Sequence, residues 1–286
     1  MPGTAKTDIA LRTSYLNPIS KVATGPSISG VGLTAAVKKD ELTGNWVCVG
    51  GLLPRCNRGL AVIDEIEKMG DDDKKSLHMP MESGYFGVEK AGISAKLLTN
   101  TSILSTSNPK VLTEPLKVSE NCALPGSILD RFDLIFKFVD FSDDIKGTKI
   151  AESITNRATS DGIDNSFKED KHTFEWKGNT FTISTIKKYI YITKQLQPKL
   201  SIRVTKDIHK WYSNLRQTAT QIGFDHKKPT PRVVESILRL ARAITRSKRK
   251  DLITKKELKL AIEFFDFLYD TEDGVGNSEE TIDEET

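Results

Sequence analysis

Short apolar runs, rich in β-branched residues and separated by turn residues, mark the first half of the chain. Three of them are Gly59–Asp64, Thr101–Thr106 and Phe132–Val139. Because they lack the alternation of a half-exposed strand, they predict strands buried on both faces, as in a parallel α/β sheet. A helix is predicted between the first two runs, over Asp71–Met81, and Pro80 is expected to end it early.

The pattern changes past the middle of the chain. From about Phe141 to Thr180 polar residues and glycine prevail, which indicates a linker with room for one helix. From Ile183 to Leu268 the apolar spacing becomes helical. One stripe consists of Val233, Val234, Ile237, Leu238, Leu240, Ala241 and Ile244. It predicts a helix that faces a core, and Thr254 with Glu257 predicts a capping box for a last helix ending near Tyr269.

Composition and charge narrow the class of protein only a little. The 286 residues carry a net charge of +3, from 42 basic and 39 acidic side chains, which is no argument for nucleic acid by itself. Arg242–Lys259 is rich in Lys and Arg, whereas Thr271–Thr286 carries only acidic charge and is predicted to be disordered. The cysteines (Cys48, Cys56 and Cys122) lie far apart, which argues against a disulfide framework and a zinc site. Without a long apolar run or a signal peptide, we expect a cytoplasmic protein with no membrane partner.

The first residues carry candidate phosphate-binding chemistry. Gly3, Thr4, Ala5, Lys6 and Thr7 match the second half of a phosphate loop, which needs backbone N–H groups, a lysine for the β- and γ-phosphates and a hydroxyl for magnesium. The full pattern also requires an earlier glycine and a preceding strand, and neither stands ahead of Gly3 in this sequence. Such short strings also occur by chance.

A second candidate element is the strand that ends in two carboxylates. Asp64 at its end can hold Mg²⁺ through the ion's water shell, and Glu65 can orient or deprotonate an attacking water. The alternative is an acidic pair that caps the following helix. The distance downstream of Lys6 leaves room for a helix and strands, which favours a nucleotide site.

Further strings, in order and spacing, resemble the minichromosome maintenance (MCM) family of replicative helicases. They are Gly30–Val37, Thr43–Trp46, Ile63–Met69, Lys90–Ile93, Leu129–Phe136, Tyr189–Ile190, Pro198–Leu200, Thr230–Arg232 and Arg239–Ala241. The resemblance runs from Gly3 to about Phe267. It implies an AAA+ P-loop ATPase fold, with a parallel α/β core, β-hairpin inserts and a C-terminal helical lid, and it implies ATP and Mg²⁺ as ligands.

The resemblance also implies roles for individual residues. Lys6 and Thr7 would be the Walker A pair, and Asp64 and Glu65 the Walker B pair. Asn108, just after a predicted strand, matches sensor 1, a polar group that reports on the γ-phosphate.

Two arginines match residues that act across subunit interfaces in this family. Arg131 matches the arginine finger and Arg232 the sensor 2 arginine, so hydrolysis would depend on assembly into a ring, expected to be a hexamer. Without the family, a surface salt bridge would explain Arg131. The implied partners are further copies of the chain, other MCM subunits and DNA.

Two segments resemble the parts of the family that touch single-stranded or forked DNA. Gly30–Gly59 resembles the helix-2 insert, and Tyr85–Ala95 the pre-sensor hairpin with Lys90 near its tip. One lysine per subunit, repeated around a ring, can follow a phosphate backbone without reading sequence. A lone exposed lysine otherwise only favours solvation.

The chain also departs from the family pattern. The leading glycine of the phosphate loop and the strand before it are missing, and Thr24–Ser27, Met79–Gly84 and Asn100 differ from the expected strings. We therefore expect an N-terminally truncated module, either a fragment or a decayed paralogue. The expected division is a core over residues 1–142, a linker over 143–181, a lid over 182–270 and a tail over 271–286.

Two other functions remain open from the residues. A non-catalytic MCM-like subunit or regulator could keep the interface and DNA-facing surfaces, and the truncated phosphate loop favours it. A chelatase-type AAA+ ATPase is the second alternative, against which Lys90–Ile93 and Leu129–Phe136 argue.

Overall fold

The computed structural model describes residues 4–110, 121–138, 173–222 and 230–270, with only the backbone at 174–176, 218–222 and 267–270. The chain divides into two compact units. One comprises Met1–Asn108 with Phe138–Ile192, and the other Pro109–Lys137 with Thr193–Thr286. The predictions for Gly3, for the acidic tail and for most of the linker fall outside the described residues.

The first unit alternates short helices and strands. In chain order they are α1 (Lys6–Leu16), β1 (Ser20–Thr24), α2 (Gly30–Leu33), β2 (Ala35–Lys39), β3 (Trp46–Gly50), α3 (Leu52–Arg55), β4 (Leu60–Asp64), α4 (Asp71–Lys75), α5 (His78–Ser83), β5 (Tyr85–Lys90), β6 (Ile93–Leu98), β7 (Ser102–Ser105), β8 (Thr173–Trp176) and β9 (Asn179–Thr182). Short 3-10 turns follow β1 at Gly25–Ser27 and β4 at Ile66–Lys68.

The core of this unit is a parallel sheet in the order β1–β4–β7. Thr24 of β1 pairs with Asp64, and Ile63 pairs with Ser105 of β7, so the carboxyl ends of all three strands meet at one edge. Every residue of the central strand β4 is buried, and Ala10 of α1 packs against this strand. The predicted parallel sheet and its strands at Gly59–Asp64 and Thr101–Thr106 are confirmed. Burial on both faces holds for β4 but not for β7, whose residues are exposed or half-buried.

The third predicted strand, Phe132–Val139, is wrong over its described residues. The backbone of 132–138 is irregular, because a strand needs a neighbour to bond with and the described residues supply none beside this segment. Its apolar side chains pack on helices of the second unit instead. Leu134 lies against the core of that unit, and Phe136 meets Phe264 edge-to-face with ring centroids 6.2 Å apart.

The predicted helix Asp71–Met81 is two helices rather than one. The break falls between α4 and α5, at Ser76 and Leu77, and Pro80 lies inside α5. A proline at position 80 cannot donate to the carbonyl of Ser76 and its ring crowds that carbonyl, so the helix is interrupted one turn before the proline, not at it.

Within the described part of the chain, three antiparallel hairpins form two-stranded sheets apart from the parallel sheet. Strands β2 and β3 pair antiparallel, as do β5 and β6, whose turn at Ala91 and Gly92 has positive φ at both residues. A third hairpin, β8 with β9, turns at Lys177 and Gly178, again with positive φ. This hairpin overlaps the span predicted to be a linker, over residues 143–181. It forms there because two successive residues with positive φ match the twist of a hairpin.

The second unit is mainly helical. Its elements are α6 (Gly126–Leu129), the end of α7 (Ile183–Lys194), β10 (Lys199–Leu200), α8 (Ile202–Ile222), α9 (Pro231–Ser247), β11 (Leu252–Ile253) and α10 (Lys255–Asp270). Its core consists of Val204, Ile208, Val233, Ile237, Ala241, Ile253, Leu258, Ala261 and Phe265. The predicted apolar stripe of α9 supplies three of these side chains, so that prediction is confirmed.

One half of the capping box predicted before α10 is confirmed. The carboxylate of Glu257 accepts from the backbone N–H of Thr254 at 3.2 Å and from its hydroxyl. Glu257 is fully buried and also receives Lys250 at 3.0 Å and Lys248 at 3.3 Å. Burial alone would raise the pKa of Glu257, but the hydrogen bonds from Thr254 and the two lysines outweigh it and lower the pKa to about 2.

Among the described residues, no helix has the length and apolar character needed to cross a membrane.

Candidate nucleotide site

The phosphate-loop residues lead directly into α1. Ala5 precedes the helix in the left-handed conformation, with φ 54°. Lys6 opens the helix and its Nζ donates to the hydroxyl of Thr4 at 3.0 Å. The first N–H groups of a helix have no partner within it and carry partial positive charge, so this helix end can bind an anion.

The carboxylate of Asp64 joins α1 to the sheet. The hydroxyl of Thr7 donates to both of its oxygens, at 3.0 and 3.1 Å. Thr106, which follows β7, donates its hydroxyl to the same carboxylate. Asp64 is only 9% exposed, and its position beside these hydroxyls comes from the register of the three parallel strands.

Glu65 is held mainly through its backbone. It has φ 53°, in the left-handed region, and its N–H donates to the hydroxyl of Thr106 at 3.0 Å. Gly25 lies so close that an added Cβ would come within 2.1 Å of the Glu65 carbonyl oxygen. A side chain at position 25 would therefore displace the backbone that carries Glu65.

The side chain of Glu65 makes an ion pair with Lys68, with 2.6 Å between Oε1 and Nζ. This hydrogen bond raises the pKa of Lys68. Although Glu65 lies at the start of the 3-10 turn, its side chain makes no capping hydrogen bond. Asp64 instead bonds with Thr7 and Thr106, so the interpretation of the two acids as a helix cap is wrong.

Asn108 also lies at this edge of the sheet. Its Nδ2 donates to Oε1 of Glu67 at 3.3 Å, and the buried Oε2 of Glu67 has no hydrogen-bond partner among the described atoms. The amide is thereby held by the turn that follows β4. The sheet edge thus brings together four of the predicted site residues, Thr7, Asp64, Glu65 and Asn108.

Sequence reasoning missed Thr106, Glu67, Lys68 and Gly25 as parts of this site. Each acts by contact with a predicted site residue. Thr106 carries a usable signal, since a hydroxyl residue directly after a predicted parallel strand falls at the edge where such strands place their ligand-binding groups. The contacts of Glu67 with Asn108 and of Gly25 with Glu65 depend on how closely two loops approach each other. No pattern in the sequence predicts that approach.

The donor set fits Mg²⁺. This ion prefers oxygen ligands, and in nucleotide sites it is held by one or two carboxylates together with the phosphates. Asp64 and Thr7 supply a carboxylate and a hydroxyl side by side. The described residues contain no group of three or more His, Cys, Asp and Glu side chains that could hold a metal without a nucleotide.

The remaining predicted site residues lie elsewhere. Lys90 is exposed at the end of β5, next to the hairpin turn. Arg131 and Arg232 belong to the second unit. Arg131 follows α6 and donates to the carbonyl of Ser127, and Arg232 lies in the first turn of α9.

Comparison with known proteins agrees with this geometry. Residues 1–158 match the MCM P-loop domain, and residues 184–268 match the MCM AAA-lid domain. The chain belongs to the MCM family. The predicted AAA+ fold class, an α/β P-loop core with a helical lid, is confirmed. The chelatase-type alternative is wrong.

Individual MCM relatives match over most of this chain. The DNA replication licensing factor MCM4 of Arabidopsis thaliana is 33% identical over 262 residues, which is 90% of this chain and 30% of that protein. The minichromosome maintenance protein MCM of Saccharolobus solfataricus is 31% identical over 91% of this chain and 36% of that protein. The DNA replication licensing factor mcm7-B of Xenopus laevis is 31% identical over 96% of this chain and 37% of that protein. The chain thus spans about a third of the length of the relatives it matches.

Proposed function

We propose that this chain is the ATPase module of an MCM-type DNA helicase, which couples ATP hydrolysis at subunit interfaces to DNA unwinding in replication. One observation carries the proposal. The hydroxyl of Thr7, at the start of α1, meets the carboxylate of Asp64, at the end of β4, at 3.0 Å. A phosphate-loop hydroxyl beside a strand-end carboxylate is the pair that holds the metal of a P-loop ATPase.

The other groups at the sheet edge then have separate roles. Lys6 and the N–H groups of α1 bind the phosphates, and Asp64 with Thr7 holds Mg²⁺. When bound, the ion neutralises charge on the phosphate oxygens. Glu65 orients the attacking water and accepts its proton, and Asn108 contacts the γ-phosphate.

Arg131 and Arg232 act on the nucleotide of a neighbouring subunit. Such an arginine stabilises charge in the transition state of phosphoryl transfer and contributes roughly 10³–10⁵ in rate. The proposal therefore requires a ring, a hexamer of this chain or a ring shared with other MCM subunits. Lys90 at the tip of the β5–β6 hairpin would bind the backbone of single-stranded or forked DNA in such a ring.

The alternative is a non-catalytic MCM-like subunit that keeps its interface and DNA-facing surfaces. The observation in its favour is the ion pair between Glu65 and Lys68, because the lysine occupies a carboxylate oxygen that would otherwise contact the attacking water. Nucleotide binding without turnover would distinguish this alternative from the motor.

The test measures ATP binding and ATP hydrolysis by the purified chain, with and without single-stranded DNA. Lys6→Ala should lower turnover about 10²–10³-fold, the scale of one lost transition-state contact. Lys75→Ala is a matched control, since Lys75 is exposed on α4 and pairs only with Asp72 among the described contacts. A folded wild-type chain that binds no ATP would overturn the proposal.

A further inference from the structure

An ion pair in the second unit fixes the segment that carries Arg131. Two residues further along, the carboxylate of Asp133 receives two nitrogens of Arg239, Nε at 2.9 Å and Nη2 at 2.7 Å. The hydroxyl of Ser236 donates to the same carboxylate at 2.7 Å. Because the arginine binds in two places, it fixes the direction of the carboxylate as well as its distance.

The same helix carries Arg232. Arg239 and Ser236 both lie on α9. The hydroxyl of Ser236 shares its single proton between the Asp133 carboxylate and the backbone carbonyl of Arg232, whose oxygen lies 3.0 Å away. Asp133 therefore connects the irregular segment after Arg131 to the helix that begins beside Arg232. The backbone on the other side of Arg131 is held by α6, since the Arg131 N–H donates to the carbonyl of Ile128 at 3.0 Å.

The energetics of this contact favour a role in positioning over a role in stability. The side chain of Arg239 is 50% exposed and that of Asp133 is 37% exposed. Ion pairs with this exposure contribute roughly 0–1 kcal/mol to folding. The helices around them have a separate apolar core, so the bidentate geometry has a small effect on stability and a large effect on orientation.

We propose that Asp133 is a positioning residue that, with Arg239 and Ser236, holds Arg131 and Arg232 as one unit toward a neighbouring subunit's nucleotide. This inference rests on the proposed function. In this inference Asp133 touches no nucleotide itself. It acts through Arg131 and Arg232, which are proposed to touch the nucleotide. Loss of the contact removes the polar link between Asp133 and α9, while Leu134 stays packed on the core of the same unit. Nucleotide binding by the same subunit stays intact.

The first test measures ATP affinity and turnover for Asp133→Ala, Arg239→Ala and the double variant. We expect unchanged ATP affinity and a turnover number lowered about 10–100-fold, the cost of an ångström-scale misplacement. The double variant should be no worse than either single variant, because both remove the same contact. Arg242→Ala is the matched control, since Arg242 is exposed on the same helix and makes none of these contacts.

The second test mixes Asp133→Ala subunits with Lys6→Ala subunits, each expected to keep at most about a tenth of wild-type turnover alone. In a head-to-tail ring, about a quarter of the interfaces of a random one-to-one mixture combine an intact phosphate loop with an intact Arg131 segment. We expect about that fraction of wild-type turnover to return. A merely structural role for Asp133 within its own subunit would give no recovery.

The outcomes separate the two proposals. Wild-type turnover in Asp133→Ala, or a mixture that stays inactive, would overturn the positioning role and leave the ATPase proposal standing. A folded wild-type chain without turnover would overturn the ATPase proposal and this inference with it.

Discussion

Thr106 offers the sharpest test of the proposed nucleotide site, because one hydroxyl bonds to both of the predicted Walker B acids, Asp64 and Glu65. It donates to the carboxylate of Asp64 and accepts from the N–H of Glu65 at 3.0 Å. Thr106→Val keeps the shape of the side chain and removes both contacts. Thr106→Ser keeps the hydroxyl and removes only a methyl group.

The size of the effect follows from these contacts. A hydrogen bond to a charged group contributes about 1.5–3 kcal/mol net, and a buried N–H left without a partner costs about 1–3 kcal/mol. In the Thr106→Val variant the carboxylate of Asp64 keeps Thr7 as a donor. Small movements of the surrounding structure also let water reach part of the site. We therefore expect Thr106→Val to lower the free energy of unfolding by about 2–4 kcal/mol. Turnover should fall about 10–100-fold, because the backbone of Glu65 is no longer fixed.

The assay combines urea unfolding with ATP turnover on the same protein preparations. Thr101→Val is the matched control, since the hydroxyl of Thr101 donates to the carbonyl of Leu53 at 2.9 Å, outside the nucleotide site. The control should lose about 1 kcal/mol of stability and keep its turnover. Equal turnover in Thr106→Val and wild type, or a Thr106→Ser variant as impaired as the valine, would refute the reasoning.

Two further predictions concern the lid and the hairpin. The low pKa of Glu257, about 2, means that its stabilisation is complete above the unfolded pKa near 4.3 and is lost as the pH falls toward 2. Between pH 6 and pH 3, the free energy of unfolding of Glu257→Gln in urea should therefore change less than that of the wild type, by up to about 2 kcal/mol, and equal changes would contradict the assignment. Lys90→Ala should weaken single-stranded DNA binding and flatten its salt dependence by about 0.7 per lost phosphate contact, whereas Lys75→Ala should leave both unchanged.

The strands and acids of the site were predictable from sequence because their signals are local. A continuous apolar run that ends in Asp64 and Glu65 predicts both the buried strand β4 and the place of the carboxylates. The phosphate-loop residues at the start of the chain likewise predict the hydroxyl of Thr7 as a magnesium ligand, and the structure places this hydroxyl beside Asp64. These inferences need no knowledge of which strands are neighbours.

The failures came where a residue's structure depends on a distant partner. Phe132–Val139 has the composition of a buried strand, yet its described residues have no strand beside them and pack on helices. Thr106 became part of the site only because β7 lies next to β4 in a register that pairs Ile63 with Ser105. No periodicity along the chain records a register between strands, so composition predicts the strands better than their contacts.

The backbone at Glu65 favours the catalytic alternative over the non-catalytic one. A left-handed conformation at a residue other than glycine has an energetic cost, of order 1–3 kcal/mol in strained sites, and persists only where surrounding contacts enforce it. Here the Thr106 hydroxyl binds the N–H of Glu65, and Gly25 leaves room for its carbonyl. A surface acid that only pairs with Lys68 would need neither contact. Because contacts from two loops hold the backbone of Glu65 in this strained conformation, the local structure supports the proposal that Glu65 acts in catalysis.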